Sequence, residues 1–210
     1  FAGMVGSPIL NERGFTVWLT GLPCSGKSTI ARKLARTLLQ RGRRVEVLDG
    51  DIVRQNLSYG LGFSREDRDR NIRRIAFVAN LLARNEVIVI VALVSPYRAA
   101  REEARRLLVD FFEVHVDCPG VECERRDVKG MYKRARAGEL RGFTGVDDPY
   151  EAPLNPELSV LTDRQSSEES VASLEAALVQ AGRLDPNDPS LGDTPEIERR
   201  YSELFVWREL

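Results

Sequence analysis

One histidine, His115, and three cysteines, Cys24, Cys118 and Cys123, are all the imidazole and thiolate ligands that this 210-residue chain offers a zinc ion. No two cysteines form a Cys-x-x-Cys pair, so the usual ligand set of a structural zinc site cannot be assembled. So sparse and odd a cysteine count suits a reducing compartment. Cys118 and Cys123 read as buried thiols, with a mutual approach as the other reading. An excess of either charge is also missing: 31 Lys and Arg stand against 32 Asp and Glu, a formal net charge of −1. That balance argues against broad binding to nucleic acid or to an anionic membrane. The longest apolar run, Val87 to Val94, is far too short to cross a bilayer, and no signal-peptide pattern appears. The expected setting is the cytoplasm, with neither nucleic acid nor membrane as partner. The length fits one globular domain, with or without a tail, and such a domain buries a sizeable core unaided. The chain opens at Phe1 rather than a methionine, as expected of a piece of a longer protein or of appended residues.

What is present alternates regularly. Thr16–Thr20 is a β-prone run leading into glycines, and Ser28–Gln40 carries apolar residues at helical spacing before a stop at Gly42. Val45–Leu48 is a second strand. Ser64-x-x-Asp67 resembles a capping box for a helix reaching about Arg84. Val87–Val94 is continuously apolar, as expected of a strand buried on both faces. Ala99–Leu108 reads as helix, Phe111–Val116 and Leu158–Leu161 as strands. Ser166-x-x-Glu169 opens a last long helix to about Ala181, and Pro195–Leu210 carries a small amphipathic pattern. Strands alternating with helices imply an α/β fold of three layers, a mainly parallel sheet with helices on both faces. Ligands in such sheets bind at the carboxyl ends of the strands, here just after Thr20, Leu48, Val94 and Val116. Residues 129–156 break the rhythm with a short basic helix and a long Gly- and Pro-bearing loop, the pattern of a mobile lid.

Gly21, Leu22, Pro23, Cys24, Ser25, Gly26, Lys27 and Ser28 match G-x-x-x-x-G-K-[ST] in full, between a predicted strand and a predicted helix. Backbone N–H groups of such a loop cradle phosphates, the lysine reaches the β- and γ-phosphates, and the serine hydroxyl ligates Mg²⁺. ATP is therefore expected on Gly21 to Thr29. The bland reading is a glycine turn with a solvated lysine. At the next strand end Asp49 and Asp51 flank Gly50; a carboxylate there can hold Mg²⁺, directly or through water, or take the proton of an attacking hydroxyl. The alternative for Asp-Gly-Asp is a plain turn. Arg54, Arg68, Asn71, Arg73 and Arg74 crowd the following segment around Phe63, a set suited to an oxyanion and a purine, or else to a charged helix surface. Ser95 directly follows the most apolar strand. Phe143, between Gly142 and Gly145, reads as an exposed aromatic that is either a loop anchor or a stacking platform. His115 falls mid-strand and reads as structural.

Taken together these stretches resemble the adenylylsulfate (APS) kinases of the P-loop kinase superfamily. The resemblance runs through Gly21–Ser28, Leu48–Asp51 with Arg54, Leu61–Ser64 with Asp67 and Arg68, Asn71–Arg74, Ser95–Arg98, and Arg126 to Glu157. It covers roughly residues 14–182, leaving 1–13 as an N-terminal extension and 183–210 as a tail. What it implies is phosphorylation of the 3′-hydroxyl of adenosine 5′-phosphosulfate by Mg-ATP. Lys27, Asp51, Ser95 and Lys129 would be the catalytic residues, with Mg²⁺ on Ser28 and Asp49. The sulfonucleotide would lie against Asp51, Arg54, Phe63, Arg68, Asn71, Val94, Ser95, Lys129, Gly142 and Phe143, its adenine between the two phenylalanine rings. Asp51 would orient or deprotonate the hydroxyl, and Lys129 would stabilise the transferring phosphoryl charge. The family also suggests a phosphoserine at Ser95, against which direct transfer is preferred, and a homodimer. Pro23–Cys24 departs from the family pattern at free x positions of the loop, with no loss of activity expected, and Gln55–Leu57 departs from it in a way that touches the substrate side only lightly. Two other readings are another small-molecule P-loop kinase, which leaves the lid unexplained, and a nucleotide-binding regulatory domain of a fused ATP sulfurylase.

Overall fold

The structure, a computed structural model, describes residues 13–205. All but the last residue of the expected N-terminal extension, and the final five residues of the tail, lie outside the described residues. Five parallel strands form one sheet in the order β2-β3-β1-β4-β5, with β1 at Thr16–Thr20, β2 at Val45–Asp49, β3 at Ile88–Ala92, β4 at Phe111–Asp117 and β5 at Leu158–Leu161. Every residue of β1 and β3 is buried, as the continuous apolar run predicts for strands covered on both sides.

Side-chain alternation divides the sheet between two cores. Val17 and Leu19 of β1 and Ile88 and Ile90 of β3 face one layer, where Ile30, Leu34 and Leu38 of α1 (Lys27–Gln40) pack with α7 (Ser167–Gln180). Trp18, Val89 and Val91 face the other, against α3 (Arg65–Ala83) and α4 (Arg98–Leu107). Leu184, together with Ile197 and Leu204 of the segment around α8 (Pro195–Glu203), joins the first core, so the tail lies as a strap along α1. Arg36 of α1 sits 5.3 Å over the Tyr201 ring.

The expected boundaries shift by a residue or two at most of these elements. Ser166 and Glu169 form a complete capping box. Ser64 caps α3 through the Asp67 amide, but the Asp67 carboxylate accepts from the Gly62 N–H, so only half of that box closes. Short helices that periodicity did not reveal are α2 (Gly50–Asn56) and α5 (Gly120–Arg125), whereas α6 (Met131–Arg136) is the expected basic lid helix. Seven or fewer residues carry too little period to be read. Replacing Leu174 of α7, fully buried and remote from the strand ends, by alanine should lower the unfolding free energy by about 2–5 kcal/mol in urea, with the m-value unchanged.

Candidate active site

The turn after β1 approaches its neighbours so closely that only glycine fits at position 21, where a Cβ would lie 2.4 Å from the Val116 carbonyl oxygen. Gly26, at φ +102°, then opens α1 with no side-chain cap and no acidic residue in the first turn. That N-terminus carries the partial positive charge of a helix end toward the cleft. Lys27 is buried there, its Nζ donating to Gly21 O at 2.9 Å, Leu22 O at 2.6 Å and Ser25 Oγ at 3.3 Å. Burial draws its pKa down to about 8, with Asp49 among the groups pulling the other way. Cys24 holds a left-handed φ of +62° beside it.

At the end of β2, Asp49 is buried and its Oδ1 accepts from the Asp51 N–H at 3.1 Å, so it serves as N-cap of α2. Asp51, one residue into that helix, projects outward and pairs with Lys129 at 2.5 Å across the mouth of the cleft. Beyond β3, Ser95 takes φ +45°; its hydroxyl accepts from Trp18 Nε1 at 3.1 Å and its carbonyl from Arg101 at 2.5 Å. These ends line one cleft of about 1220 Å³. That exceeds the ~300–1000 Å³ usual for one drug-sized ligand and has room for two nucleotides.

The lid closes over the phosphate loop on a small core of its own, built from Cys118, Cys123, Tyr132, Ala135 and Phe143 with Leu22 and Cys24 against it. Tyr132 donates to the Pro23 carbonyl at 3.1 Å, and the Asp127 carboxylate receives the Met131 and Tyr132 amides at the start of α6. Here an expectation fails. Phe143 is 7% exposed rather than free, its ring edge-on to Tyr132 at 4.9 Å, because the flanking glycines turn it inward. Phe63, 48% exposed with Arg54 at 4.2 Å over its ring, is the open aromatic surface.

The sequence profile of adenylylsulphate kinase matches residues 13–161. The chain belongs to the adenylylsulphate kinase family. It is 57% identical over 177 residues to an adenylyl-sulfate kinase of Picosynechococcus sp., covering 84% of this chain and 100% of that one. Among solved structures it resembles the Mycobacterium tuberculosis APS kinase CysC in complex with AMPPNP and APS, at 46% identity and a TM-score of 0.77 over 80% of this chain and 98% of that one. It also resembles a hexameric APS kinase from Thiobacillus denitrificans, at 38% identity and a TM-score of 0.63, over 82% of this chain and 30% of that one.

Against that family background the cleft collects most of the residues singled out from sequence. Lys27, Ser28, Asp49, Asp51, Arg54 and Phe63 line it, as do Asn71, Val94, Ser95 and Lys129. Gly21, Leu22 and Ser25 lie beneath its wall and shape the loop. Arg68 lines the cleft but is 9% exposed, donating to Phe63 O, Thr144 Oγ1 and Gly142 O, so it braces the lid loop against α3. Arg73 pairs with Glu103 on the surface and Arg74 donates to Leu57 O; neither reaches the cleft, and the charged-surface reading applies to both. His115 is half-buried, 6.0 Å from the Tyr150 ring, with its pKa lowered by burial. No disulfide links the cysteines; Cys123 Sγ lies 3.7 Å from the Cys118 carbonyl. Sequence reasoning missed Thr162, whose hydroxyl donates to Ser25 O at 2.8 Å, and gave no role to Arg126, which donates to Thr162 O at 2.7 Å. Thr162 directly follows β5, the one strand end not inspected for polar residues.

Because burial holds the Lys27 pKa at about 8 and a polyphosphate beside it favours the charged form, ATP binding should take up protons around pH 8. Affinity should be flat below pH 8 and fall as the pH rises above it. Calorimetry in buffers of different ionisation enthalpy checks this, with Lys27→Arg expected to abolish the uptake.

Proposed function

We propose that this chain transfers the γ-phosphoryl group of ATP to the 3′-hydroxyl of adenosine 5′-phosphosulfate, giving 3′-phosphoadenosine 5′-phosphosulfate and ADP, as a cytoplasmic step of sulfate activation. The observation that carries the reading is a single cleft with a phosphate loop at one end and Asp51, Arg54, Phe63, Asn71 and Ser95 at the other. The Mycobacterium tuberculosis relative holds a nucleotide analogue and APS in one complex, which supports the pairing of substrates.

The residues divide the work. Lys27 and the α1 N-terminus hold the β- and γ-phosphates, and the Lys27 ammonium leaves its own loop carbonyls for phosphate oxygens when ATP arrives. Ser28 and the buried Asp49 supply hard oxygen donors on the cleft wall, a set that fits Mg²⁺. Bound with ATP, Mg²⁺ would neutralise charge on the transferring group, Asp49 acting directly or through water. Phe63 offers a face to the adenine of the second nucleotide, with Phe143 behind it as a wall and Gly142 beside it. Arg54, Arg68 and Asn71 are read as contacts to the sulfonucleotide, with Val94 and Ser95 beneath it. Asp51 orients the 3′-hydroxyl and takes its proton, and Lys129 turns from Asp51 to the phosphoryl oxygens as the site fills. The Ser95 hydroxyl is held by the Trp18 indole and buried, which favours direct transfer over a phosphoserine. The kinase domain is taken as residues 14–182. A homodimer is the expected assembly, although a hexamer occurs in one relative.

With Mg-ATP and adenosine 5′-phosphosulfate the protein should yield ADP and the 3′-phosphorylated product, and should leave nucleosides, shikimate and gluconate untouched. Asp51→Ala should retain ATP binding and lose about 10²- to 10⁴-fold in kcat. ATP binding without product in the unaltered protein would sink this reading and leave a regulatory nucleotide-binding domain.

A further inference from the structure

A buried cation of this molecule plays no part in the chemistry described above, yet it touches the backbone beneath the site. Arg101, in the first turn of α4, is 2% exposed. Its guanidinium donates in three directions: to Glu113 of β4 at 2.7 Å, to the Ser95 carbonyl at 2.5 Å, and to the Glu151 carbonyl at 2.6 Å. Glu113 is 3% exposed and also receives Arg105 at 3.2 Å, so the carboxylate stays compensated from a second side.

The two carbonyls belong to the segments that must agree for the cleft to keep its shape. Ser95 lies on the cleft wall in a left-handed conformation, which costs a non-glycine residue roughly 1–2 kcal/mol. Such strain persists only where surroundings over-determine it. Glu151 lies within the stretch by which the lid returns to the sheet, and its amide donates to Pro96 O at 2.8 Å. Next to it, the Tyr150 hydroxyl lies 3.0 Å from Thr20 Oγ1, which in turn donates to Val94 O at 2.8 Å. One planar fork therefore joins β4, the Ser95 turn and the lid's return, while the phosphate loop is braced from elsewhere by Thr162 and Arg126.

We infer that Arg101 is a positioning residue for the sulfonucleotide half of the cleft, acting through the Ser95 turn and the lid's return, and not for the ATP half. The inference rests on the proposed placement of the sulfonucleotide against Val94 and Ser95. Lysine at 101 keeps a cation for Glu113 but is a point charge that cannot bridge all three acceptors.

Steady-state kinetics of the whole chain tests this with Arg101→Lys, Tyr150→Phe and Phe63→Ala. Arg101→Lys should raise KM for adenosine 5′-phosphosulfate on the order of 10- to 100-fold, the scale of an ångström-sized misplacement, at unchanged KM for ATP. Tyr150→Phe should move the same constant in the same direction by less, and it decides the matter should Arg101→Lys fail to fold. Both KM values rising together, or neither moving, would overturn the inference. If Phe63→Ala raises the sulfonucleotide KM while the other two leave it alone, the placement holds and Arg101 is merely structural. Should Phe63→Ala have no effect, the placement itself falls, and the inference with it.

Discussion

Lys27 sits at the base of the cleft with its ammonium against oxygens of its own loop, and keeping it there constrains most of what surrounds it. An ammonium withdrawn from water must be surrounded by oxygens. The loop can turn its carbonyls and amides inward only through conformations that side chains resist, at Gly26 and at Cys24. The helix behind the loop must also begin without a side-chain cap, because a capping oxygen would occupy the place meant for phosphate. A loop so arranged has little stability of its own. It is carried by α1, whose Ile30, Leu34 and Leu38 are anchored in the larger core, and by Thr162 from the end of β5. The apolar pattern of the helix and the odd geometry of the loop are thus two halves of one arrangement.

The same constraint orders the rest of the sheet. With β1 in the centre between β3 and β4, its carboxyl end is flanked by theirs, and whatever follows those strands falls into one crevice. Asp49 shows how one residue serves both fold and site. Its carboxylate starts α2 by capping it, which sets Asp51 on the first turn facing outward, and its burial beside Lys27 offsets part of the desolvation there. A turn reading and a functional reading of Asp-Gly-Asp were posed as rivals from sequence; the cap makes them compatible.

Much of this was legible because its signals are local. The phosphate loop, the alternation of strand and helix, and the capping box at Ser166 are patterns within a few residues, and β5 spans the four residues expected of it. What escaped was long-range or too short. α2 and α5 have seven and six residues, too few for periodicity to speak. Phe143 was misread because its partners Tyr132 and Cys123 lie 11 and 20 positions upstream, so an aromatic among glycines looked exposed when it closes a core. No local signal sets Arg101 and Glu113 apart from the other charges of their helix and strand. Only the stacking of α4 on the sheet turns them inward.

That pair also separates stability from purpose. A buried ion pair can often be replaced by apolar residues of like volume at no loss of stability, so its presence is not explained by cohesion alone. Its three-way fork instead fixes the exit of the lid, from about 148 to 157, against the central sheet, with Arg105 holding Glu157 at 2.5 Å beside it. The entry of the lid is held differently. Lys129 and Asp51, 63% and 62% exposed, contribute roughly 0–1 kcal/mol, and the core beneath Tyr132 and Phe143 is small. Cohesion is therefore graded along the lid, firm where it rejoins the sheet and weak where its cations meet Asp51. An opening would begin at that weak end, at the pair proposed above to exchange partners when the substrates arrive.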